Sequence, residues 1–317
     1  MQNVLDELCA LIARHARPAL RTAIAGLSLS KVDSSPPEHS LTEPLLVIMA
    51  QGGKRLLVGD QVYEYRAGDV LVVTTTLPVS GHFLRATPKR PALGLGLALR
   101  PEAIAPLLLR VTETSRPKHV SAPAKGRTSN AASPPVLPSS GRAAAISTGP
   151  AGPELLDAAV RLLRLLEHPA DAPVLAPLIE QEILWRLLTG PHAPMVRQIG
   201  QAGSNLAHVS RAIGWLHEHY AEPMRVADLA HLAGLSPSAF HRHFRAITAM
   251  SPLQFQKRIR LQEARALLTA NADDIAGVGH LVGYDSPSQF NREYRRLFGA
   301  PPGQDAERLR ATTPSLP

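Results

Sequence analysis

The chain has 317 residues, with 34 Lys and Arg against 26 Asp and Glu for a formal net charge of +8, 44% hydrophobic and 4% aromatic content, 29 Pro and one Cys. That length fits about two domains, and the apolar share is enough to bury a core. The low aromatic share disfavours a stacking platform for single strands, Cys9 alone cannot form an internal disulfide framework and suits a reducing cytoplasm, and the basic balance suits a polyanionic partner without requiring one.

The opening segment MQNVLDELCALIARHA carries Asp6 and Glu7 where a secretory signal needs positive charge. Val4, Leu8, Leu11 and Ile12 recur at helical spacing, which predicts an amphipathic docking helix. The longest clean apolar run, Leu45 to Ala50, falls far short of the ~18 residues of a membrane span. Across residues 41–100 short apolar runs alternate with turn signals (LLVIMA, GGKR, LLVG, VYEYRAGD, VLVVTTT, LGLGLAL), which predicts a β-sandwich or barrel. The glycines of GGK read as a hairpin turn, and no cluster of charges converging on a pocket is visible in the β region. Pro101 opens a helix with Glu102 in its first turn.

Residues 112–152 are rich in Ser, Ala and Pro and poor in large apolar side chains, so a flexible segment is expected, with AAAIST at 143–148 as a short strand returning to the β domain. Two amphipathic helices follow within 153–200. Leu155, Leu156, Val160, Leu163 and Leu166 form the apolar face of the first; Leu175, Leu178, Ile179, Ile183, Leu184, Leu187 and Leu188 form that of the second, with Gly190 ending it. This helical hairpin either covers the β domain or carries a self-association surface. From Ser204, a plausible N-cap, the pattern is all-helical.

That last region contains a repeat. SPSAFHRHFR at 236–245 and SPSQFNREYR at 286–295 match at Ser236/Ser286, Pro237/Pro287, Ser238/Ser288, Phe240/Phe290, Arg242/Arg292 and Arg245/Arg295. One substructure is therefore used twice. In each copy Ser then Pro reads as N-cap and N1, fixing where a helix starts. Phe240, Phe244 and Ile247, like Phe290, Tyr294 and Leu297, fall at i, i+4, i+7 and face a core. Ser238, His241, Arg242 and Arg245, repeated as Ser288, Asn291, Arg292 and Arg295, form the opposite stripe. Arg can pair bidentately with guanine and Asn with adenine, and both can hold phosphate; an ordinary solvated face is the alternative. VADLAHLAG and DDIAGVGHLVGY supply a shorter preceding helix and a Gly-containing turn, the pattern of helix-turn-helix motifs. Between them Ser251 and Pro252 open an unbroken helix to about Ala270, roughly 30 Å long, close to the ~34 Å between successive major grooves.

Through AGLSPSAFHRHFRAITAMSPLQFQKRIRLQEARALL and VGYDSPSQFNREYRRLFGAPP, residues 204–310 resemble the AraC/XylS class of transcription regulators. LTEPLLVIMAQGGKRLLVGDQVYEYRAGDVLVV and LPVSGHFLRATPKRPALGLGLAL resemble the cupin-like N-terminal domain of one AraC subgroup. The resemblance implies an α+β chain: a cupin-like regulatory domain over 1–111, the helical hairpin, and an all-α domain with two helix-turn-helix motifs over 204–310. It implies promoter DNA as partner, commonly activation, RNA polymerase as a further partner, a possible small-molecule effector and a possible homodimer. By position, base contacts would fall on Ser238, His241, Arg242, Ser288, Asn291 and Arg292. Gly277 and Gly279 depart from the family pattern in the second motif; each costs about 1 kcal/mol relative to Ala, which predicts a less rigid motif. Asp285 would repel a phosphate unless it caps a helix.

No enzyme, cofactor or metal is expected. Only His82 lies in 41–100, and the pairs His217/His219 and His241/His243 fall on predicted helices, where i, i+2 side chains diverge. GGK is not a phosphate loop, because Ile48 replaces the first glycine and no Ser or Thr follows Lys54. No G-x-S-x-G is present. A ligand-binding or catalytic cupin, and an adaptor built on the hairpin, are the alternative function classes.

Overall fold

The computed structural model describes residues 2–114, 144–270 and 274–312. An amphipathic helix, α1 (Gln2–His15), is followed by β1 (Leu27–Val32), β2 (Glu38–Thr42), β3 (Leu45–Gln51), β4 (Gly53–Val58), β5 (Gln61–Arg66), β6 (Asp69–Val73), β7 (Leu77–Phe83) and β8 (Ala92–Ala98). Then come α2 (Pro101–Thr114), β9 (Ile146–Pro150), α3 (Pro153–Arg164), α4 (Ala172–Thr189) and α5 (Ala193–Ile199). The strands form two antiparallel sheets, β1-β8-β3-β6-β9 and β2-β7-β4-β5, an open sandwich. Of the expected flexible segment, 115–143 lies outside the described residues, and the returning strand is β9, paired to β6 at Val72↔Ser147.

Alternation along the strands sorts side chains into two cores. Leu46, Ile48, Val70, Val72, Leu95 and Leu97 pack outward under α1, α3 and α4, where Leu8, Ile12, Leu156, Leu163 and Leu187 are buried. Met49, Leu71 and Val73 point the other way, toward Leu56, Val58, Tyr65 and Val79 of the second sheet. Cys9 is part-buried and its thiol donates to the Ala50 carbonyl at 3.4 Å; burial pushes the thiol pKa up, with Asp6 adding to it. Two expectations are corrected. Gly52, at φ +81°, is not a hairpin turn: β3 and β4 belong to different sheets, and the glycine carries the chain across. On α4 the inward positions are Ala176, Ile183, Leu184, Leu187 and Leu188, so Leu175 and Leu178 stay exposed, at 41% and 59%. The register of the buried positions sets Ala176, rather than its leucine neighbours, against the core.

The C-terminal helices are α6 (Asn205–Glu218), α7 (Val226–Ala233), α8 (Pro237–Thr248), α9 (Pro252–Ala270), α10 (Ile275–Leu281), α11 (Pro287–Phe298) and α12 (Pro302–Thr312). Their apolar residues fall into two groups. Leu206, Ile213, Phe240, Phe244 and Ile247 belong to the same cluster as the inner core of the sandwich. Leu268, Tyr284, Phe290, Tyr294 and Phe298 form a cluster of their own. The first half of the helical domain thus shares its apolar cluster with the sandwich, and the second half does not. Polar contacts reinforce the junction. The Gln262 side-chain amide donates to the carbonyls of Ser40 and Val79, Thr75 and Ser210 pair at 3.0 Å, and His39 stands edge-on to Phe298. The Ala145 amide donates to the Ile247 carbonyl at 3.1 Å, while the Ala145 carbonyl accepts from the Thr74 amide. Among the described residues no helix is long and apolar enough to cross a membrane.

The β4–β5 turn packs closely on this junction. A Cβ added at Gly59 would lie 2.3 Å from the Ala249 carbonyl oxygen, and Gly59 has φ +61°. Gly59→Val is therefore expected to lift the turn off the corner between α8 and α9, seen as a larger radius of gyration by solution scattering. An unchanged scattering profile would refute the contact.

Candidate nucleic-acid interface

The repeat folds as two copies of helix, turn, helix. In the first, α7 ends on Gly234 at φ +69° and the Leu235 amide returns to the Ala230 carbonyl; in the second, α10 leads to Gly283 at φ +90° and the Tyr284 amide returns to the Gly279 carbonyl. Those returns close the last turn of each helix and need a left-handed residue. Up to the glycine the two copies are offset by 49 positions, and from the following serine by 50, so Asp285 is one extra residue in the second turn. Ser236 and Ser286 then cap α8 and α11: their hydroxyls accept from the amides of Ala239 and Gln289, each at 3.4 Å, with Pro237 and Pro287 next. Asp285 is exposed and is not the cap.

Both stripes emerge as spaced. Phe240, Phe244, Phe290 and Tyr294 are fully buried, so each helix is held by two aromatic rings. At the third position Ile247 is buried, whereas Leu297 is only part-buried and Phe298 takes the inward place. On the opposite side Ser238, His241, Arg242, Arg245, Ser288, Asn291, Arg292 and Arg295 are all exposed. Gly279 is a close-packing position: a Cβ there would come within 3.0 Å of the Phe290 ring, so the glycine that weakens α10 as a helix lets α11 sit tightly on it. This offsets the looseness expected of the second motif.

The helix between the motifs, α9, has 19 residues, or roughly 28 Å. Its Arg260 is the residue that sequence reasoning missed. The guanidinium donates to the carbonyls of Tyr220, Ala221, Glu222 and Gly283, at 2.6 to 3.1 Å. It thereby ties the loop ahead of α7 to the turn ahead of α11. Its acceptors are main-chain oxygens, which leave no pattern among side chains. Further along, Asp305 of α12 is fully buried and accepts from Arg265 at 2.7 Å, Arg308 at 2.6 Å and the Tyr294 hydroxyl at 3.0 Å. Glu293 similarly takes Lys257 at 2.7 Å and the Tyr284 hydroxyl at 2.9 Å.

The exposed face of α8 borders the sandwich. His241, Arg242 and Arg245 line one wall of a groove of about 490 Å³ whose other wall includes Val58, Asp60 and Gln61 of the sandwich. Among the described residues no group of three or more His, Cys, Asp or Glu could hold a metal ion.

Comparison with known proteins agrees with this architecture. Residues 23–195 match the family profile described as AraC-type transcriptional regulator N-terminus, and residues 229–308 match a helix-turn-helix domain. The chain is similar to the HTH-type transcriptional activator RhaS of Pectobacterium carotovorum, 30% identical over 105 residues, which is 33% of this chain and 38% of that protein. It is similar to the HTH-type transcriptional regulator ExsA of Pseudomonas aeruginosa, 28% identical over 141 residues, 44% and 49% of the two chains. The aligned parts thus span less than half of either relative. The crystal structure of an apo ToxT variant from Vibrio cholerae has the same overall fold, with a TM-score of 0.51 at 8% identity over 90% of this chain and 99% of that one.

Proposed function

Because the N-terminal profile matches more than half of its length, the chain belongs to the AraC-type transcriptional regulators, and from that premise we propose that it binds promoter DNA through α8 and α11 and controls transcription, most simply as an activator. The observation that carries this is the duplication: two capped helices, each anchored by buried aromatics, each exposing the same Ser, His or Asn, and Arg positions. A solvated face has no reason to recur so closely, whereas one polypeptide reading two adjacent major grooves needs the same surface twice. Base contacts are assigned to Ser238, His241, Arg242, Ser288, Asn291 and Arg292, and backbone contacts to Arg245, Arg295 and the capped helix starts at Ser236 and Ser286.

Residues 1–111 with the hairpin of 153–200 act as a sensing and self-association module, 112–152 joins its parts, and 204–310 reads DNA. Exposed Val174 and Leu178 on α4 support a homodimer surface. RNA polymerase is the partner an activator requires, and the cytoplasm is where promoter and polymerase are found. The groove beside α8 gives this reading a direction. The walls of a major groove must flank an inserted helix on both sides, so the sandwich must withdraw from α8 before that helix can seat.

The test uses duplexes that the wild-type protein selects from a randomised pool. Arg242→Ala and Arg292→Ala should each weaken binding to the selected duplex by about 1–3 kcal/mol while leaving binding to unrelated DNA little changed. Wild-type affinity in both variants, across salt concentrations, would overturn the assignment.

A further inference from the structure

On the outer side of the second sheet the fold builds a cleft of about 640 Å³, lined by none of the residues of α8 or α11. Its walls bring together Arg55 from β4, Glu64 and Arg66 from β5, His82 from β7, and Arg85 and Arg90 from the loop leading to β8. Strand register explains part of this. Arg55 stands opposite Glu64 on one side and His82 on the other, and the outward positions of three neighbouring strands therefore meet. The sequence hides it, because the four arginines are spread over 36 positions of chain, from 55 to 90.

The charges do not balance. Glu64 is the one carboxylate among the lining residues, and it is already engaged by Arg55, with Arg66 at 3.7 Å. Arg55 holds the Glu64 carboxyl below the usual carboxylate range. Among the described residues the guanidinium groups of Arg85 and Arg90 have no hydrogen-bond or ion-pair partner. Arg85 also has φ +54°, a left-handed conformation that strains an L-residue. An ordinary basic surface intersperses both signs and lets its arginines spread. Here four converge on one concavity, two of them unpaired and one on a strained backbone.

We propose that this cleft binds a small multivalent oxyanion, a polycarboxylate or a phosphorylated metabolite, as the effector of the sandwich domain. Arg forks match carboxylate and phosphate oxygens bidentately, the volume suits a small metabolite, and Glu64 stands ready to accept from a ligand hydroxyl. The effector role rests on the sensing function proposed above. The binding does not, and it is therefore read without DNA.

Citrate and glucose 6-phosphate are titrated separately into the full chain by calorimetry, with glucose as the uncharged control. One of the two anions is expected to saturate at one per chain. Arg85→Ser with Arg90→Ser should weaken it about tenfold or more, with an unchanged melting temperature because both side chains are exposed. Lys89→Ser removes one positive charge from the same loop without touching the cleft and should leave the affinity unchanged. Which anion saturates distinguishes the two sources. Failure of both to saturate, or equal weakening by Lys89→Ser, overturns the proposal. So does loss of duplex affinity in the double arginine variant without anion binding, which would assign these arginines to DNA phosphates.

Discussion

Arg260→Met is expected to remove about 2–4 kcal/mol of stability from the helical domain and to abolish binding to the selected duplex. The methionine keeps the aliphatic stem but none of the donors. Gln256 also donates to the carbonyls of Tyr220 and Glu222, so those two keep a partner, while those of Ala221 and Gly283 lose their side-chain donor. Hydrogen bonds from a charged donor are worth roughly 1.5–3 kcal/mol each, and a half-buried site sits at the lower end of that range. The loss in binding exceeds the loss in stability, because this guanidinium sets the loop of one motif against the turn of the other. Two helices misplaced by even a fraction of a turn cannot both enter one duplex. Arg260→Lys should fall between wild type and Met, since an ammonium reaches fewer of the four oxygens. Thermal melts and fluorescence anisotropy check this; wild-type values for Arg260→Met in both would remove the brace from the account.

Asp305→Ala is expected to be the most destabilising single change, about 3–5 kcal/mol. The carboxylate is fully buried, and Arg265, which also lies 4.7 Å over the Phe298 ring, is only 13% exposed. Removing the anion strands that guanidinium in the core of the second motif. The same pair makes the motif acid-sensitive. Burial alone would raise the Asp305 pKa, but hydrogen bonds and charge from Arg265, with help from Arg308 and Tyr294, hold it below its ordinary 3.8. A carboxyl with a depressed folded-state pKa contributes stability that is full above the unfolded value and is lost as pH falls through the folded one. Unfolding of the second motif should therefore steepen below about pH 4 in wild type and much less in Asp305→Asn. Denaturant melts across an acid series, followed by the near-ultraviolet signal of Tyr294 and Tyr284, measure it. Parallel acid limbs in the two proteins would contradict the buried pair.

The parts of the fold that were legible in the sequence are those governed by local rules. Ser236–Pro237 and Ser286–Pro287 announce helix starts because capping is a three-residue event, and the Phe240/Phe244 and Phe290/Tyr294 stripes announce an inward side because helical period is fixed. The eight exposed positions opposite them follow from the same arithmetic. What stayed hidden depends on distant pieces meeting. The short strand β9 could be suspected but not paired, since its partner β6 lies over 70 positions earlier. The arginine cleft needs the register of three strands. Gly52 looked like a hairpin residue because a left-handed glycine serves a sheet-to-sheet crossing as well as a turn. Leu175 and Leu178 looked inward because a broad apolar stripe does not say which edge of it meets the core. Arg260 and Asp305 were invisible for a different reason: each acts through several partners at once, and no spacing rule encodes a many-armed contact.

The hydrogen bond from the Ala145 amide to Ile247 gives the molecule its own clock. Ile247 closes the last turn of α8 and Ala145 leads into β9, so this one proton bridges the sheet edge and the first reading helix. It can trade with deuterium only in the moments when sheet and helix come apart. Its exchange rate therefore counts those partings directly. Its change on adding citrate or glucose 6-phosphate would register, at a single backbone position, whether an anion held on the second sheet is felt where the duplex must enter.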